Sequence, residues 1–110
     1  MKHIKTGLGV SQGQAIGKVK IVEGPNDFNK INEGDILVAK MTDPTMTIIM
    51  GKANAIVTDT GGMACHAAIV ARELGIPCVV ATNDATKTLR EDDIVHVCGT
   101  SGKIHLVENR

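Results

Sequence analysis

Between Thr58 and Val80 the chain reads TDTGGMACHAAIVARELGIPCVV, and this run dictates a strand, a tight turn, a helix and a second strand. The apolar stretch from Ala53 to Thr58 is a short strand that delivers the chain to Gly61 and Gly62. Without Cβ atoms these residues can turn sharply and admit close neighbours. The helix is predicted over His66 to Leu74. Ala67, Ala68 and Ala71 are strong helix formers, small enough to sit close against strands. Gly75 suits a left-handed C-terminal cap, and Pro77 prevents the helix from restarting. No charge precedes Arg72, so the helix is expected to bury most of its surface. Arg72 suits the negative end of the helix dipole, where a salt bridge is expected. Pro77 to Thr82 then reads as strand.

The flanking segments extend the same alternation. Gly13 to Glu23 sets Val19 and Ile21 against Lys18 and Lys20, the pattern of a half-buried strand. Glu23 to Asp27 is a turn cluster, and Asp35 to Lys40 a second strand. Asp43 as N-cap, Pro44 at the first helical position and Gly51 past the end predict a short helix over Thr45 to Met50. Ala85 to Arg90 is a further short helix. Asp93 to Cys98 and Lys103 to Glu108 are strands joined by the hairpin-like GTSG. With 110 residues, no internal repeat and no linker, a single compact α/β domain over residues 1–110 is expected.

Composition limits function. Valine and isoleucine supply 23 residues and leucine five, while Phe28 is the only aromatic, so the core is aliphatic and strand-rich. Twelve basic and twelve acidic side chains cancel, leaving no electrostatic pull toward nucleic acid or an anionic membrane. Base-stacking aromatics are also missing. There is no apolar run long enough to span a bilayer and no signal-peptide core. Three unevenly spaced cysteines argue against a disulfide framework and for a cytoplasmic protein.

His66 is the candidate reactive residue. A helix N-terminus presents free N–H groups and a positive dipole end, which favour phosphate. Imidazole is a competent nucleophile near neutral pH. Together they point to a histidine that takes up a phosphoryl group and passes it on. Asp59 or Thr60 could orient the ring, and Met63 could shield it from water. Arg72 lies about 9 Å along the axis from His66 and roughly 240° around it, so it does not reach that phosphate.

The run Thr58–Val80, with GVSQGQAIGKVKIV and EGDILVAKMTDPTM upstream and DDIVHVCGTSGKIHL downstream, closely resembles the phosphohistidine swivelling (mobile) domain of the phosphoenolpyruvate-utilising enzymes. That group includes phosphoenolpyruvate synthase, pyruvate phosphate dikinase and enzyme I of the sugar phosphotransferase system. The resemblance implies a compact swivelling β/β/α domain with a mixed, barrel-like sheet and short helices. It implies that His66 is phosphorylated, with Thr60, Gly61, Gly62, Met63 and Cys65 supporting the phosphate and its loop. It also implies a stand-alone phosphocarrier, an incomplete enzyme by itself. An ATP-grasp partner would load it with ATP and magnesium, and a barrel partner would exchange the phosphoryl with phosphoenolpyruvate and pyruvate. No cofactor would be bound by this domain.

The sequence departs from the family pattern at turns. Ala64 replaces the usual threonine two before the histidine, which removes a phosphate-bonding and regulatory hydroxyl. Ala81 replaces a glycine, Asp92-Asp93 a Gly-Asp, and Cys98-Gly99 an Asp-Gly; small backbone adjustments are expected there. Ala64 and the absent catalytic domains leave a second reading, a regulatory or binding module that keeps the fold without the phosphate.

Other constellations carry less. Cys65 next to His66 suggests thiol chemistry, but adjacent helical residues point about 100° apart. Cys65, His66, Cys78 and Cys98 lack the paired spacing of a zinc site, so no metal is expected. Cys78 and Cys98 read as core residues. Gly13 to Lys18 is one residue short of a phosphate-binding loop. His96 and His105 alternate in the terminal strands, facing each other or solvent.

Overall fold

The computed structural model describes residues 1–107. It contains eight strands and three short α-helices: β1 (Lys2–Thr6), β2 (Leu8–Ser11), β3 (Gln14–Val22), β4 (Ile36–Ala39), α1 (Thr47–Met50), β5 (Ala55–Thr58), α2 (His66–Leu74), β6 (Cys78–Val80), α3 (Ala85–Thr88), β7 (Ile94–Cys98) and β8 (Lys103–Leu106). The helix at His66 has the predicted bounds. β1 and β2 were not anticipated, because KHIKT and LGVS carry too few apolar residues to announce a strand. The turn cluster after Glu23 opens a 3-10 helix, Pro25–Lys30. Pro44–Met46 is likewise 3-10, with Asp43 as its cap accepting from the Thr45 amide at 2.8 Å. The predicted end of the last strand, Glu108, lies outside the described residues.

All eight strands form one mixed sheet in the order β1-β8-β7-β3-β4-β5-β6-β2. β3, β4, β5 and β6 are mutually parallel, and the remaining pairings are antiparallel. The two edge strands are consecutive in the chain, separated only by Gly7. The sheet therefore curls until its edges approach, which makes the core barrel-like. At this closure the Gly7 amide donates to the Gly102 carbonyl (2.8 Å).

β4 and β5 are buried along their whole length, as parallel strands covered on both faces must be. Ile36, Val38, Ala55 and Val57 point inward with Val95, Val97 and Ile104. Leu37, Ala39 and Ile56 point outward, where Ala67, Ala68 and Ala71 of α2 and Ile49 and Met50 of α1 cover them. The helix buries only this alanine face. Ile69 is 46% exposed and Leu74 43%, contrary to the expectation from its lack of charge. Cys78 is fully buried, which pushes its thiol up to about 12. Cys98 is only half-buried, and hydrogen bonding from Ser101 holds its thiol below the ordinary value.

Two of the departures at turns have a conformational cost. Ala81 adopts φ 55° and Asp92 φ 69°, left-handed geometry that glycine adopts freely. Left-handed backbone costs a residue with a Cβ about 1–2 kcal/mol, while glycine loses about 0.5–1 kcal/mol more chain entropy. Ala81 is exposed, so Ala81→Gly removes no packing. The substitution is expected to stabilise the fold by about 0.5 kcal/mol, read as a raised denaturation midpoint with an unchanged m-value.

Candidate functional site

The site lies at the carboxyl ends of β4, β5 and β6, where ligands bind in open parallel sheets. The loops leaving these strands are stitched together by backbone bonds. The Asp59 amide donates to the Ala39 carbonyl and the Thr60 amide to the Lys40 carbonyl, both at 3.1 Å. The Thr60 hydroxyl also donates to the Lys40 carbonyl at 3.1 Å. Thr58 Oγ1 donates to the Thr60 carbonyl at 2.6 Å.

Of the two glycines, Gly61 is the one the turn requires. Its φ is 123°, and a Cβ there would lie 2.9 Å from Cys65 Sγ and 3.3 Å from Val80 Cβ. Gly62 has neither a left-handed backbone nor a close neighbour. Cys65 is the N-cap of α2, in extended conformation, and its side chain makes no cap bond. Among the described residues, the first-turn amides of α2 have no side-chain acceptor, as an anion site needs.

His66 begins α2 and is half-buried. Its Nδ1 is hydrogen-bonded to Thr42 Oγ1 at 2.8 Å, while Nε2 makes no hydrogen bond among the described residues. Thr42 is buried, so the hydroxyl that fixes the ring is itself fixed. The ring lines a cleft of about 120 Å³ with Met41, Thr60, Gly61 and Cys65. A larger cleft of about 680 Å³ adjoins it through Met41 and Thr60. Lys40, Lys87, Asp43 and Asp59 give that cleft mixed charge.

Several expectations are corrected here. Asp59 does not reach His66, because its carboxylate accepts from the Thr86 amide (3.0 Å) and hydroxyl (2.6 Å). Thr60 bonds Lys40, and the ring partner is Thr42, which sequence reasoning missed. TDP drew attention to Asp43 and Pro44 as a helix start, and nothing local ties Thr42 to a residue 24 positions away. Met63 does not line the cleft; its side chain is 58% exposed, and Met41 stands beside the ring instead. The expected salt bridge of Arg72 is replaced by two backbone contacts. Its Nε donates to the Val10 carbonyl (2.7 Å) and its Nη2 to the Met63 carbonyl (2.6 Å). Arg72 thus ties the histidine loop to β2.

The family profile described as PEP-utilising enzyme, mobile domain, matches residues 31–102. A probable phosphoenolpyruvate synthase of Methanothermobacter thermautotrophicus is 52% identical over 99 residues, 90% of this chain and 14% of the relative. Phosphoenolpyruvate synthase of Escherichia coli is 46% identical over 101 residues, 92% of this chain and 13% of the relative. The chain thus spans only a small part of the curated relatives it matches. Among solved structures, enzyme I in solution superposes with a TM-score of 0.64 at 28% identity, covering 76% of this chain and 35% of that one. Aconitase X of Thermococcus kodakaraensis gives a TM-score of 0.70 at 20% identity, covering 94% and 98%, which shows a shared fold alone.

Proposed function

The chain belongs to the mobile-domain family of the PEP-utilising enzymes, and from that premise we propose that it carries a phosphoryl group on Nε2 of His66. The Thr42–Nδ1 bond is the observation that supports this reading most directly. In the reactive tautomer Nδ1–H donates to Thr42 Oγ1, which leaves the lone pair on Nε2. That lone pair attacks the phosphorus of a donor, a P–N bond forms, and the P–O bond to the leaving group breaks with its electron pair. The positive end of α2 and its first-turn amides stabilise the charge that arrives. Transfer onward reverses these steps at a second active site.

The donor and acceptor sites belong to partners of the kind the family resemblance implies: an ATP-grasp active site, a phosphoenolpyruvate/pyruvate barrel, or both. The relatives named phosphoenolpyruvate synthase support that assignment. Among the described residues no helix is long and apolar enough to cross a membrane.

Phosphoramidate tests the reading without any protein partner, because it phosphorylates accessible imidazoles directly. An acid-labile, base-stable phosphate on His66, assigned to Nε2 by phosphorus NMR, is expected. Modification at Nδ1, or none, overturns it, and none would favour the regulatory module instead. Thr42→Val is expected to slow uptake about tenfold to a hundredfold, the usual cost of a misplaced nucleophile, with little change in unfolding midpoint. Equal rates for Thr42→Val and the parent chain would remove Thr42 from the mechanism.

A further inference from the structure

Away from His66, the other three histidines form a row across adjacent strands. His3 of β1 pairs with His105 of β8, and His105 pairs with His96 of β7. The rings stack edge to face, with centroids 5.3 Å apart for His3 and His105 and 6.3 Å for His96 and His105. His3 Nε2 bonds Thr6 Oγ1 at 2.7 Å, and His96 Nε2 bonds Gln14 Oε1 at 2.8 Å. Among the described residues, Nδ1 of both His96 and His105 is buried without a hydrogen-bond partner. We infer that this row is an acid-released latch, which holds edge strand β1 to the sheet while the central His105 ring is neutral and frees it when that ring charges.

Two separate features favour the neutral state. Protonation of His105 would leave its buried Nδ1 an N–H donor with no acceptor, a greater penalty than an unfilled lone pair. It would also place like charges on neighbouring strand positions. Among the described residues, the surrounding groups offer no relief. Lys103 from β8, the N-terminal ammonium, and the two other rings act on His105, and all of them disfavour its charged form. From β3, Gln14 and Ile16 are neutral and Lys18 shares their face. α3, which packs on β1, brings Lys87 and Asp84, and the Asp84 carboxylate is engaged by Lys5 and by Thr88 Oγ1.

Burial, then the neighbouring positive groups, hold His105 below the ordinary imidazole value of 6.5. The open strand therefore binds more protons than the docked one. Docking is fully favoured above about pH 6.5 and weakens as the pH falls from there through the depressed value. β1 is the element that yields, because it is an edge strand and β8 is its sole sheet neighbour among the described residues.

Amide exchange on the full chain, with intrinsic pH dependence removed, is the test. Protection of β1 amides should fall more than that of β5 amides between pH 7.5 and pH 5.5, by a factor that a single histidine limits to about tenfold. His3→Gln, an exposed substitution, and His105→Gln should each flatten that difference. Titration of the His105 ring at or above 6.5 overturns the latch. So does a β1 response parallel to that of β5, or one that persists unchanged in both variants.

Discussion

His66→Ala is expected to reduce phosphoryl uptake by at least about 10³-fold while the domain stays folded. The magnitude follows from the lack of a substitute nucleophile. Cys65 lines the same cleft, but its Sγ sits against Gly61. The Thr42 hydroxyl is buried and lies behind the ring, on its Nδ1 side. The ring is half-buried and gives up one hydrogen bond, so the fold persists at reduced stability. Leaving Thr42 unpaired costs about 1–3 kcal/mol. Label incorporation from phosphoramidate, measured beside a thermal melt, separates the two effects. Uptake persisting near the parent level in a folded His66→Ala chain would move the phosphoryl group to another residue and end the carrier reading at this site.

Much of the site was legible because its determinants are local. Gly61, the helix from His66, Gly75 and Pro77 act within one short run, and each rule of turn or cap chemistry applied there gave the observed backbone. Gly75, at φ 72°, takes the left-handed cap that its position after Leu74 predicts. The contacts that orient the site are another matter. Thr42 to His66, Asp59 to Thr86 and Arg72 to Val10 bridge separate loops and strands. Such pairs depend on which strand ends the sheet brings together, and periodicity carries no information about that. The same reason hid β1 and β2. Their stability comes from pairing with β8 and β6 at the two sheet edges, with little contribution from an apolar pattern of their own.

That edge closure gives the largest stability effect expected of a single methyl group, at Gly99. The residue follows β7 in the GTSG turn, which reads as an unremarkable hairpin connection in the sequence. In the structure the turn packs backbone to backbone against the segment carrying β2. A Cβ at Gly99 would collide with the Ser11 carbonyl oxygen and lie 2.9 Å from the Cys78 amide nitrogen and 3.0 Å from Pro77 Cβ. The first two are main-chain atoms of β2 and β6, which pair with each other, so neither can withdraw without breaking that ladder. The Ser11 hydroxyl, donating to the Ile76 carbonyl at 2.7 Å, further fixes the crossing. Relief must come from the turn itself, whose Gly99 amide donates to the Gly13 carbonyl at 2.8 Å. Overpacking of flexible side chains costs about 1–3 kcal/mol, and a clash against paired backbone belongs at or above the top of that range. Gly99→Ala should therefore destabilise the domain by at least about 3 kcal/mol, lowering its melting temperature by more than about 10 °C. Gly62→Ala, with open space around it, should shift the melt far less. Similar melting temperatures for the two variants would mean that the sheet edges do not meet at Gly99.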